Sequence, residues 1–439
     1  MSPRQLESPI AIRFASNDAP GRLSCMARGL VGSEVLKIAA EVRALQAAGT
    51  DVCNLTVGDF SPGEFRIPRA LEDGVVEALR KGETNYPPSS GMLPLRQAIV
   101  ETFEREFGLA YPIESVLVAG GARPIIYAVY RALCDRGERV VYPVPSWNNN
   151  HYVHQVDAAG VPVICHADTA FLPTAEMLRV PLRDARLLAL CSPLNPTGTL
   201  FDATTLGAIC DLVLAENARP ERRERPLFVM YDQVYWMLRF GDAPHVDPVS
   251  LRPEMAPYTI YVDGISKAFA ATGLRVGWAV GPSDVIDRMS NHLGHVGAWA
   301  PRAEQVATTA WLKTPNAIES YREELVEGLE ARLVALHDGF ATLAAEGFPV
   351  RAIAPMGAIY LSARFDLVGR VTREGNKLET NEDIRRELLR SAGMAVVPFQ
   401  AFGLMEDSGW FRLSVGAVSL EQIRALFPRL RAALGTMRG

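Results

Sequence analysis

Residues 258–281 read YTIYVDGISKAFAATGLRVGWAVG, in which two short apolar runs flank a segment that contains Lys267 and Arg275. Four further runs of strand length precede this stretch: SVLVAGG (115–121), RVVYPVP (139–145), ARLLALCSP (185–193) and PLFVMYD (226–232). Helix-prone segments such as PIIYAVYRALCDRG (124–137) lie between several of them. Apolar strands that alternate with helices indicate an α/β sheet that is buried on both faces. In such a sheet the active groups collect at strand ends and in the loops that follow them.

The last third of the chain, from about residue 309, has a different pattern. A long helical segment, SYREELVEGLEARLVALHDGFATLAAEG (320–347), precedes the strand-like runs APMGAIYLSARF (354–365) and WFRLSVG (410–416). A hydrophilic stretch between these two runs indicates an exposed loop that leads into a helix at Asn381. We therefore expect a smaller α+β domain that packs on the sheet domain.

The composition excludes several classes of protein. The chain has 439 residues, 48% of them hydrophobic and 22% charged, which excludes a disordered chain and a disulfide-stabilised miniprotein. Its 45 basic residues against 50 acidic residues leave a net charge of −5. A mildly acidic protein lacks the positive field that holds nucleic acid or an anionic membrane, so we expect neither as a partner.

The cysteines and histidines indicate a metal-free protein of a reducing compartment. The six cysteines include no C-x-x-C pair, which favours reduced thiols over a disulfide framework or a zinc site. His151 and His154 lie three residues apart, as do His292 and His295, but no third ligand group accompanies either pair. No run of about 18 apolar residues is long enough to cross a membrane. We expect a cytoplasmic protein without a bound metal.

Lys267 and Arg275 suggest the chemistry of the site. An amine buried after a strand has a lowered pKa and becomes a nucleophile toward an aldehyde. A nearby guanidinium can hold a phosphate through two parallel hydrogen bonds. Together these two groups suit pyridoxal phosphate, which carries both an aldehyde and a phosphate.

The string from Ser266 to Gly277, S-K-x-x-x-x-x-G-x-R-x-G, resembles the cofactor-lysine signature of fold-type I aminotransferases, the class I and II branch of the aspartate aminotransferase superfamily. The resemblance implies the pyridoxal-phosphate-dependent transferase fold of type I, a mostly parallel central sheet with helices on both faces plus a smaller α+β domain. It also implies a large cofactor-binding domain of residues 63–308, with residues 1–62 joining residues 309–439 in the smaller domain. A functional homodimer is implied as well.

Two further motifs match the family in order and spacing. Asn195 in N-P-T-G (195–198) and Tyr235 in Y-D-Q-V-Y (231–235) are expected to donate hydrogen bonds to the phenolic oxygen of the cofactor. Asp232 is expected to keep the pyridine nitrogen protonated, so that the ring accepts electrons from the substrate α-carbon. Lys267 is expected to bind the cofactor covalently and then to move the α-proton as base and acid.

The phosphate is expected to lie where a helix begins. Gly121 and Ala122 follow a strand-like run and would offer backbone N–H groups to an anion. Arg123 next to them either adds charge to the phosphate or points to solvent. The family often has a phosphate-binding serine at the position of Gly264, so one phosphate contact is either missing here or supplied by Ser266.

Two aromatic residues complete the expected cofactor site. Trp147, in P-S-W (145–147), matches an aromatic residue that stacks on the pyridine ring in the aspartate aminotransferase branch. Tyr86 resembles a tyrosine that reaches across the dimer interface to the phosphate of the neighbouring subunit.

The resemblance also implies where the substrate binds. Arg412, in F-R-L-S-V-G (411–416), is expected to clamp the α-carboxylate, and Gly58 is expected to let backbone approach it. Trp147 and Asn195 are expected to contact substrate too. Recognition of the substrate side chain stays open between a distal cation and an aromatic pocket around Trp299. The candidates for the cation are Arg22, Arg28, Arg66 and Arg302. His292 and His295 are candidates for side-chain recognition.

We therefore predict a homodimeric pyridoxal-phosphate-dependent aminotransferase that acts on an L-amino acid and a 2-oxo acid by a ping-pong mechanism. The alternative is a lyase, decarboxylase or oxidase on the same fold, which would direct the same carbanion to another product. A ligand-sensing transcription factor would need a basic DNA-binding module, and the sequence has no basic helix-turn-helix pattern ahead of the family core.

Overall fold

The computed structural model of the protein describes residue 12 and residues 21–438. Its α-helices are α1 (Cys25–Gly29), α2 (Glu34–Ala47), α3 (Arg69–Arg80), α4 (Leu93–Phe107), α5 (Ala122–Leu133), α6 (Asn149–Val156), α7 (Ala175–Arg179), α8 (Ala203–Asn217), α9 (Pro248–Leu251), α10 (Ile265–Ala268), α11 (Ser283–Val296), α12 (Arg302–Leu312), α13 (Pro315–Ala345), α14 (Asn381–Ala392) and α15 (Leu420–Gly435). Within the described residues, none of these helices is long and apolar enough to span a membrane.

The strands are β1 (Cys53–Asn54), β2 (Val116–Ala119), β3 (Arg139–Val144), β4 (Ala159–Ile164), β5 (Ala185–Cys191), β6 (Phe228–Asp232), β7 (Thr259–Gly264), β8 (Gly277–Val280), β9 (Val350–Ala352), β10 (Tyr360–Phe365), β11 (Met394–Ala395), β12 (Val397–Pro398) and β13 (Trp410–Ser414). They form a seven-stranded sheet, a four-stranded sheet and a two-stranded pair.

The seven-stranded sheet has the order β2-β8-β7-β6-β5-β3-β4. Strand β8 runs antiparallel to both of its neighbours, and all other neighbours pair in parallel. The six predicted apolar runs form β2, β3, β5, β6, β7 and β8, so the prediction of a mostly parallel sheet is confirmed.

Two apolar clusters cover the faces of this sheet. Successive residues of a strand point to opposite faces, so β7 directs Tyr261 into one cluster and Ile260 and Val262 into the other. The first cluster includes side chains of α4, α8 and α12, and the second includes side chains of α5, α6 and α11. Burial on both faces explains why the strand sequences are apolar throughout rather than alternating.

Strand β4 was not among the predicted strands. Its sequence, AGVPVI, contains Gly160 and Pro162 and is largely exposed, because β4 is the edge strand and pairs only with β3. An edge strand tolerates proline since one side of its backbone donates to no neighbour. The strand therefore lacks the apolar signal of the central strands.

The C-terminal part of the chain forms the predicted α+β layer. The antiparallel sheet β12-β13-β10-β9 packs against leucines of α13, among them Leu329, Leu333 and Leu336. Helix α14 begins at Asn381 as predicted, because Thr380 and Asp383 form a capping box at its start.

The N-terminal elements α2 and β1 contact this layer. Strand β1 pairs in parallel with β11, and Val42 of α2 lies in one cluster with Val397 and Trp410. The division of the chain into residues 63–308 and the flanking segments stays a prediction. Its second boundary falls inside α12, whose Ala307 and Trp311 belong to a cluster on the seven-stranded sheet.

Candidate active site

A cavity of about 690 Å³ lies at the carboxyl ends of the central parallel strands. Strands β5, β6 and β7 all run in the same direction, so the residues that follow them meet at one edge of the sheet. The cavity is lined by Asn195 after β5, by Asp232 at the end of β6 and by Lys267 after β7. Side chains from β10, β13 and α2 close it from the other side, namely Tyr360, Arg412 and Arg43.

Lys267 lies in the short helix α10, and its half-buried side chain lines the cavity. Its Nζ donates a hydrogen bond to the carbonyl oxygen of Gly58 over 2.6 Å. Burial lowers the pKa of Lys267 from 10.5 to about 8, because a charged amine loses hydration there. The carboxylate of Asp59 opposes this shift, whereas nearby guanidinium groups, that of Arg412 first among them, add to it. With this pKa about a tenth of the amine is neutral and nucleophilic at pH 7, far more than for an ordinary lysine.

Asp232 closes strand β6 with its carboxyl group facing the cavity. Its Oδ1 accepts a hydrogen bond from the backbone N–H of Val234 over 3.2 Å. Burial raises the pKa of Asp232 from 3.8 to about 6 despite this bond. A carboxyl group with a raised pKa is suited to a basic ring nitrogen. The nitrogen can take up the proton, and the resulting ion pair offsets the cost of burying the carboxylate charge.

Asn195 and Tyr235 are joined to other cavity residues by hydrogen bonds. The Oδ1 of Asn195 accepts from Nη1 of Arg412 over 3.2 Å. The hydroxyl of Tyr235 lies 2.7 Å from the hydroxyl of Tyr360. The amine of Lys267 lies 6.0 Å from the centre of the Tyr235 ring, so the amine and the phenol share one wall.

The start of α5 and the guanidinium of Arg275 form an anion cradle. Gly121 precedes α5 with φ 95, and Arg275 donates to the carbonyl oxygen of the adjacent Gly120 over 3.1 Å. A Cβ on Gly121 would lie 2.3 Å from Nη2 of Arg275, and a Cβ on Gly277 would lie 2.7 Å from the backbone nitrogen of Ala122. Both glycines are therefore needed for the close approach. The N–H of Gly121 itself donates to the carbonyl oxygen of Ala119 over 2.7 Å, so the N–H groups that the cradle offers are those at the start of α5, from Ala122 onward. Such groups beside a guanidinium bind phosphate well.

Three other predicted cofactor residues line the same cavity: Arg123, Trp147 and Ser266. The guanidinium of Arg123 lies 5.3 Å from the centre of the Trp147 ring, within the range of a cation–π contact. Arg123 is exposed at the cavity wall, so it lines the site and faces solvent at the same time.

Arg412 is the most deeply buried cation of the cavity, with a relative exposure of 1%. Its Nη2 donates to the carbonyl oxygen of Thr56 over 2.6 Å, and its guanidinium lies 4.7 Å from the centre of the Tyr360 ring. Its Nε has no hydrogen-bond partner among the described residues. A buried unpaired guanidinium N–H is costly, so an anionic ligand such as a carboxylate fits beside it. Gly58 lines the cavity beside this guanidinium, because a Cβ on Gly58 would lie 3.5 Å from Nη1 of Arg412.

The remaining predicted residues lie outside the cavity lining. Tyr86 is 80% exposed, and its ring centre lies 5.1 Å from that of Trp299. His292, His295 and the four candidate distal cations, Arg22, Arg28, Arg66 and Arg302, are not cavity-lining residues. Arg66 pairs with Glu72 and Arg302 with Glu83. No cluster that could hold a metal ion occurs in the described part of the chain.

Sequence reasoning missed three cavity residues, Arg43, Asp59 and Tyr360. Asp59 accepts from the hydroxyl of Thr272 over 2.6 Å. Arg43 has the sequence pattern of an ordinary exposed position of helix α2. Tyr360 lies in an apolar strand run and has the pattern of an ordinary core residue. Only Asp59 had a local signal, since it directly follows Gly58.

These residues fit pyridoxal phosphate group by group. A nucleophilic amine faces the cavity for the aldehyde, a carboxyl faces it for the pyridine nitrogen, and a helix start with a guanidinium suits the phosphate. The fold and the site thus define a pyridoxal-phosphate-dependent enzyme of fold type I.

Comparison with known proteins agrees with this class. Residues 50–430 match the family described as aminotransferase class I and II. The aspartate aminotransferase of Rhizobium meliloti (strain 1021) is 31% identical over 404 residues, which cover 91% of this chain and 93% of that protein.

Two solved structures share the fold over nearly their whole length. A crystal structure of the Rhizobium meliloti aspartate aminotransferase superposes with a TM-score of 0.86 at 29% identity, covering 95% of this chain and all of that one. The aspartate aminotransferase of Thermus thermophilus with maleate has a TM-score of 0.83 at 27% identity, covering 94% of this chain and 99% of that one. The chain belongs to the class I and II aminotransferases and is a pyridoxal-phosphate-dependent aminotransferase.

The lowered pKa of Lys267 predicts its reactivity in protein freed of cofactor. Only the neutral amine reacts with trinitrobenzenesulfonate, so the labelling rate at Lys267 should rise with pH and reach half its maximum near pH 8. Peptide mass spectrometry after brief labelling at a series of pH values measures this rate. Asp59→Asn should shift the midpoint to lower pH, because the carboxylate stabilises the charged amine. A midpoint near 10.5 would contradict the described environment of Lys267.

Proposed function

We propose that the cavity transfers an amino group between an L-amino acid and a 2-oxo acid by a ping-pong mechanism, and that the preferred substrates carry a second carboxylate. The observation that carries the second part is the charge of the cavity wall. The charged side chains of the wall are Arg43, Arg123, Lys267, Arg275, Arg412, Asp59 and Asp232. Five are basic and two are acidic, and only two of the arginines are needed for a phosphate and an α-carboxylate.

The cofactor would be held by residues of the large sheet. The backbone N–H of Ala122 and the guanidinium of Arg275 would bind its phosphate, with Ser266 beside them and with Gly121 leaving room for the guanidinium. Trp147 would pack on the face of the ring. When bound, pyridoxal phosphate supplies an electron-accepting ring that stabilises the electron pair left on the substrate α-carbon.

Three side chains would set the charge state of the bound ring. The carboxylate of Asp232 would hold a proton on the pyridine nitrogen, and this ion pair would lower the raised pKa of the carboxyl group. Asn195 and Tyr235 would donate hydrogen bonds to the phenolic oxygen. These donors favour the negative charge of that oxygen.

Lys267 would move the proton of the reaction. Arg412 would fix the substrate through its α-carboxylate, beside the backbone of Gly58. The Nζ of Lys267 would then remove the α-proton as a base and return it as an acid, as its pKa of about 8 allows. The relatives that share this fold are aminotransferases, which favours transamination over elimination, decarboxylation or oxidation.

Arg123 and Arg43 are the candidates for binding the second carboxylate. Both line the cavity of this chain, whereas Arg22, Arg28, Arg66 and Arg302 do not. An aromatic pocket around Trp299 has less support, since Trp299 contacts Tyr86 and does not line the cavity of this chain. The similar proteins of Rhizobium meliloti and Thermus thermophilus are named aspartate aminotransferases, and the second was solved with maleate, which is a dicarboxylate.

Arg123→Gln should lower kcat/KM for L-aspartate about 10- to 100-fold, because a charge-assisted hydrogen bond contributes about 1.5 to 3 kcal/mol. The kcat/KM for a monocarboxylic donor such as L-norvaline should change little. Steady-state assays with both donors measure the ratio, and Arg66→Gln, which lies outside the cavity, is the matched control. An equal loss for both donors, together with weaker cofactor binding, would assign Arg123 to the phosphate instead.

We also propose that the active protein is a homodimer. Tyr86 exposes 80% of its surface beside Trp299, although a tyrosine at this position in the family contacts the phosphate of the neighbouring subunit. A second copy that buries Tyr86 would explain this exposure.

Sedimentation equilibrium of the holoenzyme should give twice the mass of one chain. Tyr86→Phe should weaken cofactor binding about 10- to 100-fold, as expected for the loss of one hydrogen bond to a charged group. A monomer with full activity would contradict the proposal.

The compartment is a further proposal. All six cysteines are free in the structure, and four of them, Cys53, Cys134, Cys165 and Cys210, are buried. Burial raises the pKa of each of these four thiols to about 12, so they stay protonated and unreactive. Free thiols of this kind support a reducing compartment, and we propose the cytoplasm.

A further inference from the structure

The hydroxyl groups of Tyr235 and Tyr360 form an isolated buried pair. They lie 2.7 Å apart although 125 residues separate them in the chain. Tyr235 is 3% exposed and Tyr360 is 1% exposed. Among the described residues, each hydroxyl has only the other as a hydrogen-bond partner.

A pair of hydroxyls has two hydrogens, and the bond between them uses one. If Tyr235 donated to Tyr360, the remaining hydrogen would be on Tyr360 and Tyr235 would have none to offer the cavity. If Tyr360 donates to Tyr235, the hydrogen of Tyr235 stays free to bind a ligand oxygen. The direction of this one bond therefore decides whether Tyr235 can act as a donor.

The surroundings favour donation by Tyr360. The guanidinium of Arg412 lies 4.7 Å from the centre of the Tyr360 ring and stabilises negative charge on that phenol. Burial raises the pKa of both phenols, that of Tyr235 further than that of Tyr360, and the charge of Arg412 opposes the rise at Tyr360. The more acidic of two hydroxyls is the better donor, so the hydrogen between them belongs to Tyr360.

Gly58 makes room for this arrangement. A Cβ at position 58 would lie 2.8 Å from the hydroxyl oxygen of Tyr360. A side chain there would displace that hydroxyl from Tyr235. A glycine at position 58 therefore leaves room for the hydroxyl of Tyr360 as well as for a substrate carboxylate.

We infer that Tyr360 is a positioning residue that donates its hydroxyl hydrogen to Tyr235 and so directs the hydrogen of Tyr235 into the cavity, toward the phenolic oxygen of the cofactor. This inference rests on the proposed function, in which Tyr235 is a donor to that oxygen. An accepted hydrogen bond also polarises the Tyr235 hydroxyl and strengthens the bond that it donates.

The test is the pH midpoint of the visible absorbance of the holoenzyme without substrate. This midpoint reports how tightly the nitrogen that joins Lys267 to the cofactor holds its proton. A hydrogen bond donated to the phenolic oxygen reduces the negative charge that holds this proton, so the proton is lost at lower pH and the midpoint of the absorbance change falls. Tyr360→Phe should raise the midpoint by about half a pH unit, a threefold change in proton affinity that corresponds to part of one hydrogen bond.

Three further variants make the readout specific. Tyr235→Phe should raise the midpoint more than Tyr360→Phe does, and the double variant should match Tyr235→Phe alone, because Tyr360 acts only through Tyr235. Tyr231→Phe removes another buried hydroxyl, one that bonds to the carbonyl oxygen of Val246, and should leave the midpoint unchanged. Thermal unfolding of each variant identifies any loss of fold.

The outcomes separate the inference from the proposed function. A midpoint that rises in Tyr235→Phe but not in Tyr360→Phe would overturn the inference and leave the role of Tyr235 intact. A Tyr360→Phe shift of equal size with and without the Tyr235 hydroxyl would also overturn it. A midpoint unchanged by Tyr235→Phe would overturn the proposed role of Tyr235 itself.

Discussion

The parallel pairing of β6 with β7 is the constraint on which the site depends. In this register Asp232 lies opposite Val262, so the last residue of β6 lies beside the end of β7, and the chain then enters the turn that carries Lys267. An acid and an amine are thereby held at one sheet edge, where both face the cavity from half-buried positions in its wall. Burial lowers the pKa of the amine and raises that of the acid. The first shift makes the amine more nucleophilic, and the second makes the acid favour a positively charged ligand group.

The second half of the cavity depends on contacts between the two sheets. Arg412 comes from β13 of the antiparallel layer, yet it bonds to Asn195, which follows β5 of the large sheet. Lys267 bonds to Gly58, which follows the short strand β1. The site is therefore complete only when both layers are packed together. A surplus of guanidinium groups in this shared wall is the physical basis for the preference proposed for dicarboxylic substrates.

Much of this arrangement could be predicted from the sequence, because its signals are local. The buried strands are continuous apolar runs, and Lys267 and Arg275 lie in one string of fixed spacing. Asp232 ends β6 and Asn195 lies in the turn after β5, so the topology places both at the same sheet edge. Strand β4 was missed because an exposed edge strand carries no such run.

Other residues have roles that only the folded chain reveals. Tyr360 has the sequence context of a core residue, and its bond to Tyr235 spans 125 positions. Arg43 was missed for the same reason, since nothing near it in the sequence indicates that α2 lies over the cavity. The four arginines considered as distal cations do not line the cavity of this chain, because charge alone does not indicate which helices face the site.

The most direct test of the whole account is to find which lysine holds the cofactor. Sodium borohydride converts an aldehyde cofactor bound to a lysine into a stable secondary amine, and peptide mass spectrometry then locates it. The account predicts the added pyridoxyl phosphate mass on the peptide that contains Lys267. The other lysines of the chain, Lys37, Lys81, Lys313 and Lys377, should be unmodified. Attachment at one of those four, or at none of the five, would contradict it.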